Sequence, residues 1–256
     1  MSSWFKFVYR AYRYRFRYDR AEIGFVRRSL SAGQVAVDVG CHKGAYTYWM
    51  RRRVGPDGIV YVFEPQPKQA DYLRAAFSAM QYDNVELVPM AASNQVGQLP
   101  LYVPAISTQS ASLELRCEAT PGKTTVSART GLAEAPKILV DVTTLDQFFT
   151  GDRKAPNFIK IDVEGHELAV LEGAQRTLER YRPTLLVECE ARHHPDRDFR
   201  TVFSAVESLG YSGTFFWQGQ RLPLARFDVA VHQHLDPNMR KLPRGYANNF
   251  AFEFAK

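Results

Sequence analysis

Residues 35–44 read VAVDVGCHKG, and the run continues into AYTYWMRRRV at 45–54. Three apolar residues, Val35, Ala36 and Val37, lead into Asp38, Gly40 and Gly44 bracket a short loop, and a helix-like composition follows. That order is strand, glycine turn, helix. Glycine suits the turn because its backbone takes conformations a Cβ forbids and can approach a ligand, while the first turn of the next helix leaves amide donors unpaired. Beyond Gly44 a second apolar run, IVYVF at 59–63, ends in Glu64, where α/β nucleotide sites keep a carboxylate for ribose hydroxyls.

The G-x-x-x-G spacing lacks the G-x-G-x-x-G arrangement that seats a pyrophosphate on a helix end, which disfavours a dinucleotide. A carboxylate at Asp38 repels phosphate and attracts an ammonium or a sulfonium. S-adenosylmethionine, an adenosine joined to a cationic amino acid, suits Asp38 and Glu64 together. For the two glycines alone, an ordinary structural turn explains as much.

Outward from this stretch, composition sets bounds. At 256 residues and 45% hydrophobic, the chain can bury one full core, with room for an insertion. Cys41, Cys117 and Cys189 are too few and too scattered for a disulfide framework or a zinc cluster, which points to a reducing, cytoplasmic setting. No run has the length of a membrane-spanning helix, and no apolar segment with a cleavage site opens the chain.

The net charge of +6 is unevenly placed. Lys6, Arg10, Arg13, Arg15, Arg17 and Arg20 stand against Asp19 alone, so residues 1–20 carry five of the six net charges. The rest is close to neutral, which argues against a specific nucleic-acid partner. Within 1–20, Tyr12, Tyr14, Phe16 and Tyr18 alternate with Arg13, Arg15 and Arg17. Two readings follow: peripheral attachment to an anionic membrane at its cytoplasmic face, or a leading helix packed on the domain with its arginines solvated. The expected organisation is a basic aromatic extension with a leading helix over 1–33, then a catalytic domain over 34–256.

Along that domain, PQPKQADYLRAAFSAM reads as a helix opened by proline, and NVELVPMAASN as a third strand whose end, including Ala92, lines an adenine. The strand–helix alternation predicts a parallel sheet. It breaks at about 97–144, where QLPLYVP and ILVDVTT suggest an inserted antiparallel element, before TTLDQFF, a short helix capped by Thr144. NFIKIDVEGHELAVLEGAQRTLERY then gives a strand ending at Asp162, a turn at Gly165 and one helix with an apolar face. Asp162, Glu164, His166 and Glu167 crowd the carboxyl end of that strand, where open α/β sheets bind ligands. Glu164 and Glu167 equally suit a helix N-terminus, and His166 alone suits a simple hydrogen-bonded role. PTLLVECE is the next strand, ending in Glu188 and Glu190 with His193 and His194 behind; no H-E-x-x-H spacing is present, and no metal is expected. Two late strands, YSGTFFW and NNFAFEF, fit an antiparallel pair. Their connection, 218–247, offers Arg221, Arg226, His232, His234 and Arg240 to a substrate.

In order, DVGCHKGAYT, FEPQP, NVELVPMAASN, TTLD, FIKIDVEGHELAVLEGA and LLVECE resemble the FkbM-type methyltransferases, over residues 34–254. The resemblance implies an α/β class I methyltransferase fold, Rossmann-like, with a seven-stranded mostly parallel sheet, its last strand antiparallel, and the β insertion between strands three and four. It also implies S-adenosylmethionine-dependent O-methylation of a hydroxyl on a sugar, glycolipid, polysaccharide or polyketide-type product, the acceptor being a small molecule, a glycan or a lipid-linked glycan. By position, Asp38, Gly40, Gly44 and Glu64 correspond to cofactor ligands, with Cys41 beside them, and Asp162 to an acid near the transferred methyl. Cys41-His42 departs from the Ala-Asn common in the family.

Methyl transfer needs an oxygen aligned with the donor and a base for its proton. His166 has the best-placed intrinsic pKa, with Asp162, Glu164 and Glu188 as alternatives, and Asp162 is expected to be indispensable. The competing readings are an RNA methyltransferase, a non-catalytic nucleotide-binding α/β protein and an NAD-dependent oxidoreductase. The first is disfavoured by the absence of a D-P-P-Y or N-P-P-Y run after the fourth strand.

Overall fold

Strand β1 (Val35–Val39) is buried along its whole length. Val35, Val37 and Val39 face one apolar cluster while Ala36 faces another, so both faces of the strand are covered, with Asp38 its one polar residue. In the computed structural model, which describes residues 3–103, 111, 113, 137–194, 198–234 and 245–254, β1 lies inside an eight-stranded sheet. Its parallel neighbours are β2 (Ile59–Phe63) and β7 (Phe158–Ile161). Beyond β2 lies β3 (Val85–Val88), and beyond β7 lies β8 (Thr184–Glu188), both again parallel. Next to β8, β11 (Asn249–Phe254) runs antiparallel and pairs on its other side with β9 (Tyr211–Trp217).

The sheet exceeds the expected seven strands by one. A two-residue turn at Gln218 and Gly219, both at positive φ, folds β10 (Gln220–Pro223) back onto β9. Turns of that geometry match the strands' own twist, so a polar segment without a strand-like pattern still pairs at the edge.

Helices cover both faces. On one side lie α1 (Ser3–Arg13), α2 (Arg20–Ser29), α3 (Ala45–Val54) and α4 (Pro67–Ala79). On the other lie α5 (Leu145–Phe148), α6 (Glu167–Glu172), α7 (Gln175–Tyr181) and α8 (Arg200–Glu207). The single helix expected over 168–178 is broken between α6 and α7. A Cβ at Gly173 would stand 1.9 Å from the Ser93 carbonyl oxygen, and the Asp146 carboxylate accepts hydrogen bonds from the amides of Arg176 (3.1 Å) and Thr177 (2.7 Å). A neighbouring chain segment thus fills the bend, and Asp146 caps the second helix from outside it.

The inserted element is a separate sheet. β5 (Gly97–Tyr102) pairs antiparallel with β6 (Lys137–Thr143), and β6 pairs parallel with β4 (Ala91–Ala92), the end of the expected third strand. The Ser/Thr-rich stretch between β5 and β6 lies almost wholly outside the described residues. Thr144 caps α5, its hydroxyl accepting from the Gln147 amide at 2.9 Å.

At the N-terminus, α1 continues into a π-helical turn, Tyr14–Tyr18, and packs on α3 and α4. Phe7 is fully buried, edge-on to Tyr48, Phe77 and Tyr82. Trp49 donates its indole N–H to the Ala11 carbonyl at 3.0 Å.

Candidate active site

The carboxyl ends of β1, β2, β7 and β8 open onto one cavity of about 590 Å³. This is the edge at which parallel α/β sheets present loops and free backbone groups. After β1 the chain is stitched to β2, since the amides of Gly40 and Cys41 both donate to the Phe63 carbonyl, at 3.0 and 3.2 Å. Gly40 has φ 75°, and a Cβ there would come within 1.9 Å of the Asp162 carbonyl oxygen. Glycine at 40 therefore lets the β1 and β7 loops touch backbone to backbone.

Asp38 and Lys160 are direct partners across β1 and β7. Asp38 is buried and accepts a hydrogen bond from the Thr47 hydroxyl on α3 at 2.5 Å through Oδ2, while its Oδ1 is buried with no partner among the described residues. Burial raises its carboxyl above the ordinary range, against the pull of Lys160. The Lys160 ammonium, also buried, pairs with Asp162 Oδ2 at 2.8 Å and lies 4.7 Å from the centre of the Tyr46 ring. Burial opposes its charge, but Asp162, Asp38 and Glu188 together outweigh that and hold the ammonium protonated.

Glu64 closes the β2 side. It is buried, accepts from the Gln66 amide at 2.9 Å, and is pushed up to about 8 mainly by burial. On the β8 side, Glu188 accepts from the Asn248 side-chain amide at 2.6 Å, and burial, with the Asp162 charge adding to it, drives its carboxyl well above the usual range. Glu190 is held by Arg192 (Nη2 at 2.9 Å) and by the Tyr246 hydroxyl (2.8 Å). The opposite wall is basic and aromatic: Arg10, Arg13, Tyr14 and Tyr18 come from α1 and the turn after it.

Of the residues singled out in the sequence, Asp38, Gly40, Cys41, Glu64, Ala92, Asp162, Glu164, His166 and Glu188 all line the cavity. Gly44 does not: a Cβ there would strike the Phe7 ring at 2.5 Å, so this glycine makes room for α1. His166 is buried with Nε2 2.9 Å from the Ser93 hydroxyl, and Glu164, at φ 53°, meets His193 Nε2 at 3.1 Å. Glu167 turns inward, accepting from the Gly165 amide at 2.8 Å and meeting His194 Nε2 at 3.0 Å. None of the described residues of the 218–247 connection lines the cavity; Arg221 is bound to Thr214 and Glu253, His232 packs among Phe215, Trp217 and Phe227, and Arg240 lies outside the described residues.

The Methyltransferase FkbM domain matches residues 38–212, more than half of the chain. The chain belongs to the FkbM methyltransferase family. A curated relative, Methyltransferase 1 of Beauveria bassiana (strain ARSEF 2860), is 28% identical over 196 residues, spanning 69% of this chain and 71% of its own length. Among solved structures, the FkbM methyltransferase of Methylobacillus flagellatus KT superposes with a TM-score of 0.52 at 16% identity. That match takes in 88% of this chain but only 44% of the Methylobacillus protein, so this chain spans under half of that relative. The likeness shows the class I methyltransferase fold, a mostly parallel α/β sheet.

For this FkbM methyltransferase, sequence reasoning missed Lys160 and Asn248, and it read the basic aromatic segment without placing it at the cavity. Lys160 had a signal: a lysine in FIKI, an otherwise apolar buried strand, requires charged partners, because lysine is almost never fully buried unpaired.

Proposed function

We propose that the chain transfers a methyl group from S-adenosylmethionine to a hydroxyl oxygen of a sugar, glycolipid, polysaccharide or polyketide-type acceptor. The observation that carries this reading is the set of carboxylates at four strand ends, Asp38 and Glu64 buried and Asp162 and Glu188 partly exposed, around the buried Lys160 ammonium. Such a surplus of negative charge is costly unless a cation joins it. The orphaned Oδ1 of Asp38 fits an ammonium donor, and the Glu64 carboxylate fits a pair of ribose hydroxyls. When bound, S-adenosylmethionine supplies an already activated methyl at its sulfonium.

The chain's own work is then positioning and proton handling. Ala91 and Ala92 give the wall an apolar patch against which an adenine can lie. Lys160 fixes the Asp162 carboxylate at the β7 end, leaving its other oxygen to orient an acceptor hydroxyl. Glu188, steadied by Asn248 at the β8 end of the cavity, is the carboxylate that takes the hydroxyl proton, its basicity raised by burial and by the neighbouring Asp162 charge. His166, bonded to Ser93, supports the same wall.

The test is calorimetric titration with S-adenosylmethionine and S-adenosylhomocysteine, followed by transfer of labelled methyl to a panel of hydroxylated glycans and lipid-linked sugars. Both ligands should bind the wild type and fail to bind Asp38→Ala. A folded wild type that binds neither ligand would sink the reading.

A further inference from the structure

Helix α1 and the π-helical turn after it have two apolar faces: the inner one is buried within the chain, and the outer one is exposed, with only Tyr12 also leaning its ring on Tyr48 and Trp49 of α3. The inner face is satisfied: Phe7 and Ala11 are fully buried against α3 and α4. On the outer face Phe5, Tyr9, Tyr12 and Phe16 follow one another at steps of four, three and four residues, the spacing of a single helical stripe. They are 42%, 58%, 40% and 67% exposed. With Trp4 and Tyr18 at the two ends, this segment holds six of the nine large hydrophobic residues exposed among the described residues. An exposed apolar concentration of this kind marks a surface that meets a partner.

Charge and side-chain type say which partner. Lys6 and Arg13, seven residues apart, share the face adjoining the stripe, Arg17 follows one turn on, and all three are exposed. No acidic residue precedes Asp19. Tyrosine and tryptophan have an apolar body with a polar edge, which suits the boundary between headgroups and acyl chains, while long basic side chains reach outward to phosphates. No described helix is long and apolar enough to cross a membrane, so a helix of this pattern lies along a surface.

We infer that the outer face of residues 4–18 docks on an anionic lipid bilayer. The inference goes beyond the methyl-transfer reading, since it rests on the exposed stripe alone. It has a geometric consequence for the cavity: Arg10, Arg13, Tyr14 and Tyr18 belong both to this segment and to the cavity wall. Docking therefore brings the cavity mouth next to the lipid headgroups.

Flotation with phosphatidylcholine vesicles, with and without phosphatidylglycerol, tests it on the full chain. Wild type should float with the phosphatidylglycerol vesicles and lose that binding as salt rises. Tyr9→Ser/Phe16→Ser and Lys6→Glu/Arg17→Glu alter exposed side chains, so both should melt as wild type does while binding falls about 20-fold or more. Wild type left in solution with the anionic vesicles, or floating equally with neutral ones, would overturn the inference. So would variants of unchanged melting temperature that float as well as wild type. Loss of vesicle binding on adding single-stranded poly-U, together with tight poly-U binding through the same four side chains, would reassign the face to nucleic acid.

Discussion

The floor and the roof of the cavity are built by different physics. The floor consists of strand ends: Asp38, Glu64, Asp162 and Glu188 project from four adjacent parallel strands, and their spacing is set by sheet register. It is acidic, with Asp38 and Glu64 buried and Asp162 and Glu188 partly exposed. The roof consists of Arg10, Arg13, Tyr14 and Tyr18 on one helical segment, held to the domain by Phe7 and by the Trp49–Ala11 hydrogen bond. It is basic, aromatic and half open to solvent. The acidic groups are thus tied to the sheet, while the basic and aromatic ones belong to a single helical segment.

Four experiments break or sharpen that contrast. The largest effect is expected on the floor, where Glu188→Gln should lower kcat by about 100- to 10,000-fold, the usual worth of a general base, with donor affinity kept. Single-turnover kinetics would read it; a kcat near wild type would move the base elsewhere, with His166 next in line. In the roof's anchor, Phe7→Ala should cost about 3–5 kcal/mol, seen as a lower urea midpoint, because it empties a fully buried site beside Gly44. Should the variant melt as wild type does, the roof would be resting on the domain rather than built into it. Back on the floor, Glu64→Ala should weaken S-adenosylmethionine by about 100-fold in calorimetry through two lost hydrogen bonds, and leave vesicle binding untouched.

The fourth effect is a pH dependence. Glu64 titrates at about 8 in the folded chain against an ordinary 4.5. As pH rises through that window the unfolded chain gives up this proton before the folded one does, so the stability present at acid pH is lost until pH passes about 8. The melting temperature of Glu64→Gln should therefore gain on that of wild type between pH 4.5 and 8 and level off above; a constant difference would mean that Glu64 titrates normally.

What the sequence disclosed follows the same division. The β1 turn, Glu64 and the strand ending at Asp162 are local patterns, in which an apolar run, a glycine and a carboxylate stand within a few residues of each other. Lys160 was harder to read, because its burial is repaid by carboxylates on three different strand ends, and strand register is not visible in one chain segment. The break at Gly173 depends on a carbonyl 80 residues away at Ser93, and the role of Gly44 on a phenylalanine 37 residues before it. Gly44 was noticed and Gly173 was read through as helix; in both cases the reason for the glycine was distant. The basic segment 1–20 was legible as charge and aromatics, but its place above the cavity is a matter of tertiary packing.

The contact between Gly40 and the Asp162 carbonyl sets a fixed gauge. Because backbone meets backbone there, the separation of the β1 and β7 walls is independent of every side chain in the site. Exchanging residues in the roof or along β8 leaves the gap between residues 40 and 162 as it is, whereas any side chain at 40 would strike the Asp162 carbonyl and force the two walls apart.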